Sequence, residues 1–269
     1  MVKKALTGRG NTQEVRPSRL AITPDVLYLI KTKLSKAKIP LTKKRLIWAV
    51  ASILFIGSLR VGEILAPSAA IYVRGNSLLN KHVEHLTRTV GGEERNFLKL
   101  FLESPKEDKA RRGVHVELFS LGNFFCPVEA YTKWKLSSKV THGPEDPVFR
   151  REDGLCYTAK EFNADLKRLL ESEIDYSNGR ISSHSFRAGI TTTMARLGYS
   201  KVGNRDRNKL KLTKSPMQEM IGLQGRWRSD AYLRYCKLGR ANRLEDQLEL
   251  MKNMADTAQK WISGGVLVH

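Results

Sequence analysis

The chain has 269 residues, 41% of them hydrophobic and 28% charged, enough for one large domain or two small ones and too apolar for wholesale disorder. Its 47 Lys and Arg against 27 Asp and Glu leave a formal net charge of +20, the footprint of a polyanionic partner, nucleic acid first. The longest apolar stretch, residues 47–57, is far short of the ~20 residues of a membrane span, so no membrane partner is expected.

The opening residues, MVKKALTGRGNTQ, hold charges but no apolar run that would serve as a secretory signal. Cys126, Cys156 and Cys236 fit neither a disulfide framework nor a zinc pattern, which favours a reducing compartment. Residues 1–21 read as a basic linker or arm. Thr23-Pro24 reads as an N-cap with proline at the first helical position, opening a helix through Leu34. Residues 43–57 are apolar on most sides, which predicts a central, buried helix. Pro67 stops the helical pattern that follows.

Three strands come next: His82–Val90, Asn96–Glu103 and Val114–Phe119. The polar run SPKEDKARRG between the last two predicts a β-hairpin with a long tip. Pro127 then starts a helix through about Ser138. Thr158 and Glu161 form a capping box ahead of another helix, and Ser183 precedes a helix closed by Gly198. Tyr199–Lys214 reads as a basic loop and Ser215-Pro216 as the start of a short helix. Ser229 caps a helix ended by Gly239, and a last amphipathic helix covers about Asn242–Ile262. This order predicts one α+β domain, mostly helical, with a small antiparallel sheet.

Chemistry on phosphates calls for metal-binding carboxylates, a glycine-rich phosphate loop, or a cationic cage with a nucleophile. The sequence has no G-x-x-x-x-G-K-[ST], no H-E-x-x-H and no Asp-rich metal loop. The parts of a cationic cage are present: Arg60 in SLRVGE, Lys106 in the hairpin tip, His184 and Arg187 in SHSFRAG, Trp227 in GRW and Tyr235 in AYLRY. Each alone has an ordinary explanation as a solvated cation or a core aromatic. In this order they form a far more specific set.

That ordered set resembles the signature of the tyrosine recombinase (phage integrase) family: Arg, Lys, His-x-x-Arg, His or Trp, then Tyr. The strings SHSFRAGITTTMA and GRWRSDAYLRY look especially like the recombinases of DIRS-type retroelements and Crypton-like transposons. The resemblance covers roughly residues 20–245. It implies the integrase catalytic fold over residues 22–240, with residues 241–269 a C-terminal helix that family members often exchange between protomers. On that helix Leu244, Leu248 and Met251 form an apolar stripe; packing on its own domain is the alternative.

The resemblance further implies double-stranded DNA as partner, a homo-tetramer on two DNA sites, and strand cleavage and rejoining through a 3′-phosphotyrosyl intermediate. Arg60 and Arg187 would grip the phosphate, Lys106 would protonate the leaving oxygen, and His184 would move the proton of the tyrosine. Trp227 would pack against the site and donate its indole N–H. Glu63 would anchor a cationic neighbour, with a solvent-exposed helix acid as the alternative. No cofactor and no metal are expected.

Eight positions separate Trp227 from Tyr235, one fewer than in many bacterial and phage members, and Tyr232 lies at i−3 on nearly the same face. Tyr235 is favoured as nucleophile, with Tyr232 the alternative. Members normally carry a helical N-terminal core-binding domain, and about twenty residues precede the catalytic domain here. A non-catalytic DNA-binding remnant of a mobile-element recombinase is therefore the competing reading, followed by a type IB topoisomerase-like enzyme and a basic RNA binder. The retroelement likeness implies the nucleus in a eukaryote, and otherwise the cytoplasm or nucleoid.

Overall fold

The computed structural model describes residues 18–70, 77–90, 92–103, 112–141, 143–174, 179–181 and 185–194. Lys106, His184, Trp227, Tyr232 and Tyr235 lie outside the described residues. So do the loop at 199–214 and the three helices expected after it.

Helix α1 spans Pro24–Lys36. Proline at its first position brings a preset φ, and Thr23 stands in the extended N-cap conformation without a side-chain cap bond. Asp25 in the first turn and Lys33 and Lys36 in the last complement the helix dipole. Leu27, Ile30 and Leu34 bury one face. Helix α2 (Leu41–Ile56) follows Pro40, and every residue from Leu46 to Ile56 is buried. It is the central helix that its all-round apolar sequence predicts. Among the described residues no helix is long and apolar enough to cross a membrane.

A four-residue helix α3 (Val61–Ile64) leads by way of a 3-10 turn, Asn80–His82, to an antiparallel sheet. Its strands are β2 (Val83–Val90), β3 (Glu93–Leu102) and β4 (Val114–Phe119), with β3 in the middle. The hairpin read from the sequence is present, its last pair being Leu102 with Val114. Leu98, Leu100 and Leu102 alternate into the core. On the other face Phe97 lies under the Arg88 guanidinium, 4.7 Å away, and Arg88 bridges across β3 to Glu117 with two hydrogen bonds of 2.8 and 2.9 Å.

Helix α4 (Pro127–Ser137) packs on α2 and the sheet. Its N-cap is Cys126, whose Sγ accepts from the backbone N–H of Glu129 at 3.5 Å. Helix α5 (Ala159–Leu170) opens with the expected capping box: Glu161 donates its backbone N–H to Thr158 Oγ1 at 3.2 Å, and the Glu161 carboxylate accepts from the Thr158 backbone N–H at 2.8 Å. Helix α6 (Ser185–Met194) lies against α2. The expected α+β class, mostly helical with a small antiparallel sheet, is what the structure has.

One pairing carries no signal in the sequence. Strand β1 (Ser18–Arg19) pairs in parallel with β5 (Gly179–Arg180). The end of the basic N-terminal segment thus runs alongside the approach to α6, and the Ile22 backbone N–H donates to the Ser185 carbonyl at 2.9 Å.

Candidate functional site

Arg60 is positioned by the way α2 ends. The Ser58 N–H donates to the Phe55 carbonyl at 3.1 Å and the Leu59 N–H to the Leu54 carbonyl at 3.0 Å. This is a Schellman motif, with Ser58 at the left-handed position, φ 49°. Glycine is the usual residue there; here it stands one place earlier, where a Cβ on Gly57 would meet the Ile53 carbonyl oxygen at 2.8 Å and the Leu59 side chain at 2.9 Å. Leu59 is fully buried under this turn. The reversal delivers Arg60 in extended conformation at the N-cap of α3.

Glu63 closes the arrangement. Its Oε2 accepts from the Arg60 backbone N–H at 2.7 Å, and its Oε1 lies 3.6 Å from Arg60 Nη1. The two side chains are 17% and 7% exposed. Glu63 is therefore a mostly buried counter-charge to Arg60 and not a solvent-exposed helix acid. In low-dielectric surroundings such a pair fixes guanidinium orientation more firmly than it would at an open surface.

Arg187 sits in the first turn of α6 and is 7% exposed. Its neighbour Phe186 is fully buried and stacks on Phe162 at 5.9 Å. Because α6 packs on α2, the helix bearing Arg187 is braced by the helix whose C-terminal turn sets Arg60. The small residue in the Ala188-Gly189 pair of the motif is required here: a Cβ on Gly189 would stand 1.8 Å from the Ile22 carbonyl oxygen.

Of the sequence-predicted residues, the described structure thus contains Arg60, Glu63 and Arg187. Lys106 belongs to the connection between β3 and β4, whose flanking strands are in place. Sequence reasoning missed Gly57, Ser58 and Gly189 as positioning residues. Gly57 at the end of an apolar helix signalled a helix stop, but serine at the left-handed position gave no signal for the turn itself. Among the described residues no cluster of three or more His, Cys, Asp or Glu side chains could hold a metal ion.

No protein-family model matches the sequence, and no curated protein does. Among solved structures the chain is similar to the XerH site-specific recombinase in a pre-cleavage complex with its difH substrate, with a TM-score of 0.51 at 12% identity over 86% of this chain and 54% of that one. It is also similar to Flp recombinase in a Holliday-junction complex, with a TM-score of 0.48 at 15% identity over 80% of this chain and 46% of that one. This chain spans about half the length of the recombinase chains it matches. At such identity the XerH likeness is one of fold: the mostly helical body with its three-stranded sheet has the architecture of the tyrosine recombinase catalytic domain.

Proposed function

We propose that this chain, built on the tyrosine recombinase catalytic fold, cleaves and rejoins DNA strands through a covalent 3′-phosphotyrosyl intermediate. The observation that carries the reading is the seating of its two signature arginines. Arg60 is held by Glu63 at a rigid helix-ending turn, and Arg187 is buried in the helix that packs against the same helix α2. The ordered occurrence of Lys106, His184, Trp227 and Tyr235 supports the same reading.

In this mechanism the Tyr235 oxygen attacks the scissile phosphorus and the bond to the 5′-oxygen breaks. A phenol, with a pKa near ~10, is a weak nucleophile at neutral pH. A dense positive site favours the phenolate and the anionic transition state together. Arg60 and Arg187 grip the non-bridging oxygens, since a guanidinium fork matches phosphate geometry. Lys106 gives its proton to the leaving 5′-oxygen, His184 takes the proton of the tyrosine, and Trp227 donates its indole N–H to a phosphate oxygen. The phosphodiester energy is kept in the phosphotyrosyl bond, so attack by a 5′-hydroxyl restores DNA without ATP.

The strings SHSFRAGITTTMA and GRWRSDAYLRY support a mobile-element recombinase of the DIRS or Crypton type, acting in a nucleus and assembling as a tetramer on two DNA sites. The test is a denaturing gel of a labelled, nicked duplex incubated with the chain. Wild type should give a covalent protein–DNA band, Tyr235→Phe none, and Tyr232→Phe a band. A band lost only in Tyr232→Phe would move the nucleophile to Tyr232. Duplex binding with no covalent band in any form would leave a DNA-binding remnant.

A further inference from the structure

Many cations on the described surface have an acid beside them. Lys33 meets Glu173, Lys43 meets Asp165, Lys99 meets Glu84, and Arg150 meets Asp146. One hollow gathers several cations that have none. A cavity of about 340 Å³ opens between the C-terminal half of α1 and the N-terminal turns of α2 and α4. Lys31, Lys44, Arg45 and Lys133 line it, with Glu129 as its one acid. Glu129 is engaged by Lys133 at 3.0 Å. Lys31, Lys44 and Arg45 form no ion pair among the described residues; Lys44 donates only to the Ser35 carbonyl, at 3.0 Å.

The backbone adds positive potential. The α2 N-terminus has no side-chain cap bond and no acid in its first turn, and Lys43, Lys44 and Arg45 follow instead. Cations at that end of a helix oppose its dipole; Lys43 is offset by its ion pair with Asp165, whereas Lys44 and Arg45 have no such acid among the described residues. The α4 N-terminus borders the same hollow through Cys126. Lys31 lies 4.5 Å over the Trp48 ring, which stacks on Phe124 at 5.7 Å. Burial lowers the pKa of Lys31 and the neighbouring Lys133 lowers it further, against a smaller opposing effect of Glu129. An anion between these ammonium groups would relieve that repulsion.

We propose that this hollow is a phosphate-binding pocket in which Lys31, Lys44, Arg45 and Lys133 meet a phosphate group. It is distinct from the arginine site. The hollow sits at the start of α2 and Arg60 just beyond its end, roughly 24 Å along a 16-residue helix. The phosphate belongs either to a DNA backbone or to a free phosphate compound, and the two arms of the test separate these sources.

In the first arm, inorganic pyrophosphate is titrated into the full chain at physiological ionic strength, followed by tryptophan fluorescence, with Trp48→Phe assigning the signal. In the second arm, anisotropy reports affinity for a short labelled duplex and its dependence on salt. Both arms compare wild type, Lys31→Met with Arg45→Met, and a control pair, Lys36→Met with Lys38→Met, which removes the same charge. Methionine keeps the apolar stems.

A saturable pyrophosphate signal that weakens roughly tenfold or more in the pocket pair, but not in the control, supports the pocket. If duplex affinity is then the same in the two pairs, the ligand is a free phosphate compound. If duplex affinity and its salt slope fall further in the pocket pair, the ligand is the DNA backbone. Equal behaviour of the two pairs in both arms overturns the proposal. The pyrophosphate arm does not depend on strand cleavage, so failure of the pocket and failure of the recombinase reading are separate results.

Discussion

The carbonyl oxygen of Ile22 occupies the place where a Cβ on Gly189 would stand: the two would be 1.8 Å apart, and the Ile22 carbonyl carbon would be at 2.4 Å. The same segment donates the Ile22 N–H to the Ser185 carbonyl at 2.9 Å. The chain entering α1 is thus pressed on the first turn of α6, the turn that carries Arg187. Contact this close is open only to a residue without a side chain. Gly189→Ala must push α6 away from Ile22, and we expect it to lower the unfolding free energy by about 3 kcal/mol in urea titrations. Unchanged stability would mean that the two backbones are not in contact.

Ser58 presents the opposite case. Its backbone is left-handed, φ 49°, which costs a residue with a Cβ roughly 1–2 kcal/mol. Its hydroxyl is buried and makes no hydrogen bond among the described residues. Ser58→Gly removes both penalties, against the greater freedom glycine has in the unfolded chain, worth about 0.5–1 kcal/mol. The expected net gain is about 1 kcal/mol, seen as a rise in Tm of roughly 2–4 °C. Ser58→Val, a β-branched residue at a left-handed position, should lower the Tm instead.

The buried polar group under α5 makes a pH prediction. Tyr157 donates to Asp165 Oδ2 at 2.7 Å, while Lys43 Nζ lies 3.1 Å from Oδ1. Burial first, and then the Asp165 carboxylate, push the Tyr157 phenol far above its ordinary range. Burial pushes Tyr131 up to about 12. In the unfolded chain both ionise near ~10. Above that pH the native state holds protons that the unfolded state has released, so stability falls as pH rises. The fall begins near pH ~10; the part from Tyr131 is complete at about 12, and the part from Tyr157 continues beyond. Tyr157→Phe should cost about 2 kcal/mol near neutrality, through the lost hydrogen bond to a charged acceptor. It should also make the alkaline decline shallower than in wild type, as measured by urea midpoints over a pH series.

Much of this fold could be read locally. The caps at Thr23-Pro24 and Thr158–Glu161, the all-round apolar run of α2 and the alternation of β3 and β4 are each properties of neighbouring residues. Three features were not legible. The β1–β5 pairing involves two residues a strand, too few for any period. The Schellman turn hides its left-handed residue because serine, not glycine, occupies it. The Gly189–Ile22 approach joins distant parts of the chain, so the glycine looks like any helical glycine until the two backbones are seen together. At the candidate site the sequence motif pointed to Arg60 and Arg187, whereas the burial of Glu63 depends on the Schellman turn that sets Arg60 at the N-cap of α3. Only the returning half of a capping box is present, the Glu63 carboxylate on the Arg60 backbone N–H, and an arginine at the N-cap gives no Ser/Thr signal for it.

Glu63 connects that local geometry to the proposed chemistry. One carboxylate oxygen accepts from the Arg60 backbone at 2.7 Å, and the other faces the guanidinium at 3.6 Å. Glu63→Gln keeps an acceptor for the backbone N–H and removes the charge that orients Arg60; Glu63→Ala removes both. We expect a stability loss of about 1 kcal/mol for the first and about 2 kcal/mol for the second, since a cap and an ion pair are lost together. In the proposed reaction Glu63 would act as a positioning residue that touches no reacting atom, so duplex affinity should change little in Glu63→Gln. Single-turnover formation of the covalent adduct should slow roughly tenfold, as when a supporting partner is taken from an orienting pair. An adduct rate equal to wild type, with stability lowered as expected, would make Glu63 a purely structural cap and leave the orientation of Arg60 to its other contacts.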